Sequence, residues 1–151
     1  MNLKKFYMDA AMRDITSLGT IYFLGILIVA LFSFGQHNLV YKLIIGQIIM
    51  FMITMPLKLT FFRNRPNRMH HKNIIERIEA SSFPSVHTFR AFFISTVLIL
   101  TFNNLILTLL LSLLSFAVAY SRIYLKKHYY SDIVVALFLG ILLGYGVMNY
   151  V

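Results

Sequence analysis

Charged residues fall at the edges of four long uncharged stretches, a pattern that predicts an all-α chain organised around a membrane. Ile15 to Gln36 carries no charge, and a helix of that length reaches about 33 Å, enough to cross the roughly 30 Å of bilayer hydrocarbon. Leu43 to Leu57 forms a second run, bounded by Lys42 and Lys58, whose long stems let their ammonium groups reach the interface. That helix is expected to end near Phe62. Ala91 to Ser121 is again charge-free, too long for one comfortable crossing. Asn103-Asn104 interrupts it, and asparagine favours turns and is costly at mid-membrane, so two helices are expected, about Ser85 to Phe102 and Leu105 to Tyr124. The last run, Ile133 to Val151, contains Gly140 and Gly144 at the spacing that lets helix backbones approach closely, within the bundle or across a homodimer.

Two amphipathic pieces complete the pattern. Leu3 to Arg13 sets Leu3, Phe6, Tyr7 and Ala10 against Lys4, Lys5, Asp9 and Arg13, as in a helix floating at the headgroups. Met69 to Ala80 alternates Ile74, Ile75 and Ile78 with Glu76, Arg77 and Glu79, which predicts a short surface helix. The expected architecture is a polytopic transmembrane bundle of about five spanning helices plus an N-terminal interfacial helix, a multi-pass protein of the cell membrane.

Composition agrees: 59% of residues are hydrophobic, 13% are charged, and the mean hydropathy is +0.76, beyond the usual soluble range. The 151 residues suffice for a single domain, residues 1–151. With no cysteine, disulfides, thiolate metal sites and a cysteine nucleophile are excluded. The net charge of +9 must sit in loops and at helix ends, where it marks topology and an anionic substrate or lipid headgroup. Nucleic acid is not expected as a partner, because the basic residues are not interleaved with polar, solvent-facing aromatic surface.

Nearly all residues with chemical capability fall into three clusters between the apolar runs: Lys58 with Arg65-Pro66; Pro84-Ser85-Val86-His87; and Ser121-Arg122 with His128 and Asp132. Counting crossings with the Asn103-Asn104 hairpin brings all three to one membrane face. A continuous helix from 85 to 124 would instead place His87 and His128 on opposite sides. Pro84-Ser85 is ordinary helix-initiation chemistry, and an isolated histidine near an interface is usually a hydrogen-bonded structural residue. His70 and His71 have no partner at metal-ligand spacing.

Taken in order, Lys58, six residues, Arg65-Pro66; Pro84-Ser85-x-His87; and Ser121-Arg122, five residues, His128, three residues, Asp132 resemble the three-part signature of the type 2 phosphatidic acid phosphatase (PAP2) superfamily. The resemblance covers about Lys58 to Asp132. It implies a membrane lipid phosphatase in which His128 is the nucleophile, forming a phosphohistidine, with Asp132 holding its other ring nitrogen protonated if both share a helix face. By similarity His87 protonates the leaving lipid alcohol and then activates water. Ser85 and the backbone N–H groups that follow, Val86 first, would cradle phosphate at the helix start, with Lys58, Arg65 and Arg122 matched to the equatorial oxygens. No metal or other cofactor is required.

The family usually has glycine at Val86, where valine keeps the N–H but adds a branched side chain expected to point into the bundle. Five crossings also fall short of the six common in the family. The implied substrates are a polyprenyl diphosphate, phosphatidic acid, phosphatidylglycerol phosphate or the 1-phosphate of lipid A, with their tails entering laterally between helices. Two alternatives stand beside this reading. The same residues resemble vanadate-binding haloperoxidases, which are soluble, and a non-catalytic membrane scaffold could bind anionic lipid without turnover.

Apart from the three phosphate-binding candidates, the expected motif face collects Lys4, Lys5, Arg13, Arg63, Arg68, Lys72, Arg77, Arg90, Lys126 and Lys127, against Lys42 alone opposite. The positive-inside rule therefore places this face in the cytoplasm. With single cysteines introduced at Met69 and at Asn103, an impermeant maleimide applied to intact cells should label Asn103→Cys only; labelling at position 69 alone would reverse the orientation.

Overall fold

The computed structural model describes residues 3–67 and 69–151; Arg68, counted above with the motif-face cations, lies outside them. Seven helices make up the described chain: α1 (Leu3–Ser17), α2 (Ile21–Ser33), α3 (His37–Thr60), α4 (Ile74–Ala80), α5 (Val86–Phe102), α6 (Leu105–Tyr124) and α7 (Tyr130–Tyr150). Outside the helices, an isolated antiparallel bridge joins Asn64 to Ser81.

Capping chemistry sets several boundaries. The Asn104 side chain accepts the N–H of Leu107 at 3.0 Å to start α6, while Asn103 adopts a left-handed conformation with φ 44° that ends α5. The hairpin therefore turns at the two asparagines expected from sequence. Asn73 Oδ1 accepts the Glu76 N–H at 2.8 Å and the Glu76 carboxylate accepts the Lys72 N–H at 2.6 Å, so α4 begins at Ile74 and not near Met69.

The first expected span is the main departure. It breaks at Leu18–Thr20, where α1 and α2 meet at 51°, and α2 is only 13 residues long. Hydroxyl groups cause this locally: Ser17 donates to Asp14 O at 2.6 Å, Thr20 donates to Ser17 O at 2.6 Å, and the Thr20 oxygen accepts the Phe23 N–H at 3.3 Å. Ile15 to Ser17 therefore belong to α1. That helix is docked on α6 through Thr16 and Ser121, whose hydroxyls lie 2.5 Å apart, which anchors it more firmly than the expected floating helix. α3 opens at His37, six residues before the run from Leu43 that marks it in the sequence.

By length and apolarity α3, α6 and α7 can each cross a membrane, and the bent α1–α2 pair adds a fourth crossing if it acts as one span. α5, with 17 residues, is shorter than these, so length and apolarity support three or four crossings where five were expected. The outer faces carry the apolar surface of a lipid-facing bundle, including Ile26 and Val29 on α2, Met52 on α3, Leu109 and Leu113 on α6, and Phe138 and Leu142 on α7, all exposed.

α5 is the hub, buried without interruption from Thr88 to Ser95 because α3, α6 and α7 surround it. Three glycines allow this closeness. A Cβ on Gly46 would run into the Phe93 ring, one on Gly140 would lie 2.7 Å from Phe89 O, and one on Gly144 would lie 2.6 Å from Thr96 Cβ. The Gly140/Gly144 face of α7 is thus occupied by α5 of the same chain.

This contact gives a stability prediction. Gly140→Val should force α5 and α7 apart and destabilise the detergent-solubilised protein by roughly 2 kcal/mol or more. Gly146→Ala, on the same helix with open space around it, should leave the melting temperature unchanged or raise it slightly. Equal tolerance of both substitutions would refute the close α5–α7 approach.

Candidate active site

Backbone hydrogen bonds lace the three clusters together pairwise. Ser82 N donates to Arg63 O at 2.8 Å, joining the second segment to the first; Asn67 N donates to Lys126 O at 3.1 Å, joining the first to the third; and Ser85 N donates to Asp132 O at 3.3 Å, joining the second to the third. Lys126 takes a left-handed conformation, φ 53°, at the α6–α7 connection. The polar loops are therefore fixed to one another independently of their side chains.

His128 precedes α7, two residues before its first turn, and is buried. Its Nδ1 donates to the carbonyl oxygen of Ser82 at 2.7 Å, while Asp132 Oδ2 is 3.8 Å away. A carbonyl oxygen can only accept, so Nδ1 carries the proton and Nε2 is left with its lone pair. The expected carboxylate partner is thus present at longer range, and Ser82 makes the shorter contact, because the helix begins after His128 and the two residues do not share its face. Asp132, completely buried, accepts the Tyr129 N–H at 2.9 Å through Oδ2, capping α7, and accepts Arg63 at 3.0 Å through Oδ1. Arg63 also donates to Ser131 Oγ at 2.6 Å and lies 4.0 Å over the Tyr129 ring.

Lys58, at the end of α3, donates to Ser81 O at 2.7 Å and Ile78 O at 3.3 Å, the carbonyls that close α4. Arg122 is buried on α6 and reaches Thr16 Oγ1 of α1 at 3.4 Å. The Nε atoms of Arg65 and Arg122 are buried and have no hydrogen-bond partner among the described residues. The hydroxyl of Ser85 lies 3.0 Å from that of Thr88 and makes no capping bond. The first-turn N–H groups of α5, from Val86 onward, have no acceptor within the helix.

A cavity of about 380 Å³ opens among these groups, with Lys58, Arg65, Val86, His87 and His128 on its wall. Ser85, Arg122 and Asp132 are adjacent but do not line it. Met50, Phe51, Met55 and Met69 make its remaining surface largely apolar, suited to a lipid chain. Val86 both borders the cavity and packs against the buried core, so its side chain points only partly into the bundle, where it was expected.

All eight residues singled out from sequence therefore converge on one end of the bundle. The sequence marks Arg63 and Arg90 only as topology charges and does not mark Ser82. For Arg90 a signal existed: on a helix starting at Val86 it lies three residues after His87 and shares that residue's face. Nothing local marked Ser82, whose role is a backbone carbonyl. His70 and His71 are exposed.

Residues 19–151 match the family model described as PAP2 superfamily. The crystal structure of LpxE from Aquifex aeolicus superposes with a TM-score of 0.79 at 29% identity, covering 95% of this chain and 87% of that one. The crystal structure of the first transmembrane PAP2-type phosphatidylglycerolphosphate phosphatase, from Bacillus subtilis, superposes at 0.77 with 23% identity, covering 95% of this chain and 76% of that one, a likeness of fold. No curated protein matches the sequence.

Burial pushes the His128 imidazolium down from the ordinary 6.5 to about 4; Arg122 and Arg65 reinforce this, while Asp132 and the Ser82 carbonyl oppose it. The ring is therefore neutral at physiological pH. The unfolded chain binds this proton near pH 6.5 and the folded protein only near 4, so the stability associated with neutral His128 is complete above 6.5 and lost as pH falls from 6.5 to 4. Thermal melts across this range should show a steeper decline for the native protein than for His128→Asn; parallel declines would mean that His128 titrates normally.

Proposed function

Because the chain belongs to the PAP2 superfamily, we propose that it is a membrane lipid phosphatase acting through a phosphohistidine at His128, with no metal in the reaction. The observation carrying the reading is the fixed tautomer of His128, whose Nδ1–H is held by Ser82, in a cavity lined by Arg65 with its unpaired Nε–H and with Arg122, also unpaired at Nε, adjacent. A neutral imidazole with a free Nε2 is a nucleophile, and the cations beside it match a phosphoryl group.

In the first step Nε2 attacks phosphorus, the P–O bond to the lipid breaks, and the departing oxygen takes a proton from His87, which takes that proton up as the anionic substrate binds. In the second, His87 accepts a proton from water, the hydroxide attacks the phosphohistidine, and inorganic phosphate leaves with His128 neutral again. Lys58, Arg65 and Arg122 stabilise the equatorial oxygens, and the first turn of α5, Ser85 with the Val86 N–H, contributes donors at the positive end of the helix dipole. Asp132 steadies the third segment and favours the imidazolium-like charge that develops on His128; Arg63 holds Asp132 in place. The substrate tail occupies the Met- and Phe-lined side of the cavity. Candidate headgroups are a polyprenyl diphosphate, phosphatidic acid, phosphatidylglycerol phosphate and the 1-phosphate of lipid A.

Purified protein in detergent with chelator should release inorganic phosphate from at least one of these lipids, and His128→Ala should lower kcat by roughly a thousandfold or more. Binding without release would favour a scaffold. Halide oxidation that depends on added vanadate would favour a peroxidase.

A further inference from the structure

One guanidinium on the cavity wall has no part in that scheme. Arg90 is only 6% exposed and lies on α5 one turn beyond His87, about 4.5 Å further along the helix. Its Nε donates to Gln47 Oε1 at 2.9 Å, and its NH1 donates to Gly19 O at 2.7 Å. Both acceptors are neutral, and among the described residues no carboxylate lies within ion-pair distance of it. Glu79, the acidic residue on the cavity wall, belongs to α4 with Ile78, whose carbonyl holds Lys58.

Burying a guanidinium without a counter-charge is costly unless an anion arrives to share the site. Gln47, also on the wall, lies eleven residues before Lys58 on α3, about 16 Å along that helix. Arg90 and Gln47 thus mark the part of the cavity that lies further into the bundle than His128 and Lys58. A lipid with its terminal phosphate at His128 directs its leaving group that way, toward its own tail.

We propose that Arg90 and Gln47 form a second anion subsite, which binds a phosphate on the lipid side of the scissile bond and selects lipids carrying two phosphates. The assignment rests on the phosphatase reading and narrows it. With a diphosphate, His128 Nε2 bonds to the terminal phosphorus, and the bridging P–O bond breaks. The electron pair stays on the bridging oxygen, which takes the His87 proton, and the lipid monophosphate leaves with its remaining negative charge facing Arg90. With a phosphodiester-linked second phosphate, the leaving alkoxide takes its proton from His87, and Arg90 holds the diester. Water then cleaves the N–P bond in either case. The guanidinium contributes position and charge matched to an anionic leaving group.

Two substrate pairs test this with the full chain in detergent: farnesyl diphosphate against farnesyl phosphate, and phosphatidylglycerol phosphate against phosphatidic acid. The native protein should favour the two-phosphate member of at least one pair by tenfold or more in kcat/KM, and the favoured pair tells an anhydride from a diester. Arg90→Met should bring that ratio toward one. Gln47→Glu should do the same while giving the guanidinium a partner, so it reports even if Arg90→Met fails to fold. No preference in either pair, or both activities falling in parallel with the ratio intact, would overturn the subsite. If neither these four lipids nor lipid A 1-phosphate is hydrolysed, the phosphatase reading fails, and binding decides the subsite. Tenfold tighter binding of farnesyl methylenediphosphonate than of farnesyl phosphonate would support it, and equal affinities would reject it.

Discussion

Positive charge withdrawn from water and left uncancelled is the constraint around which this structure is arranged. Lys58, Arg90 and Arg122 are buried, each fastened to neutral dipoles: carbonyls of Ser81 and Ile78, the carbonyl of Gly19 with the Gln47 amide, and the Thr16 hydroxyl. Neutral acceptors fix direction without cancelling charge, so the positive potential survives in the cavity. The buried carboxylate nearby, Asp132, is engaged by Arg63, a half-exposed residue outside the cavity lining, and by the Tyr129 N–H. A carboxylate paired directly with Arg65 or Arg122 would have stabilised the resting protein and spoiled it as an anion site.

Holding such charges close together requires a frame that does not yield to their repulsion. Part of that frame is the lacing of the three loops by backbone bonds, which do not depend on side-chain chemistry unless proline removes an N–H. The other part is α5, enclosed by its neighbours through Gly46, Gly140 and Gly144, so that His87 and Arg90 start from a helix with little room to shift. Even the break between α1 and α2 belongs to this frame. It brings Gly19 against the backbone of His87, where a Cβ would lie 2.8 Å from its carbonyl oxygen, and turns the Gly19 carbonyl toward Arg90.

Much of this was legible in the sequence where local chemistry decides. Asn103-Asn104 specified the hairpin because one asparagine tolerates the left-handed conformation and the other caps a helix. The three clusters converged because apolar runs of spanning length left them no other place. What escaped was decided by tertiary contact. A charge-free run from Ile15 to Gln36 reads as one helix, yet Ser17 and Thr20 compete for the backbone, and α1 gains a docking site on α6 that its own pattern cannot reveal. The four-residue spacing of His128 and Asp132 suggested a shared helix face, but Asp132 caps α7 and thereby sets the start of the helix after His128.

That last displacement changes which group governs the histidine. A carboxylate at hydrogen-bonding distance would make Nε2 more basic and draw a proton onto the ring, whereas the Ser82 carbonyl fixes the same tautomer with far less pull on the charged form. Asp132, at 3.8 Å and already engaged by Arg63, is near enough to respond to charge that develops on the ring as its lone pair is given up, yet it does not hold the ring protonated beforehand. Among so many fixed cations, a histidine that rested as imidazolium would add one more positive charge and lose its nucleophilic lone pair. A neutral acceptor beside His128 and a carboxylate one step further away reconcile the two demands, keeping the ring uncharged before an anion arrives and supported while charge passes onto it.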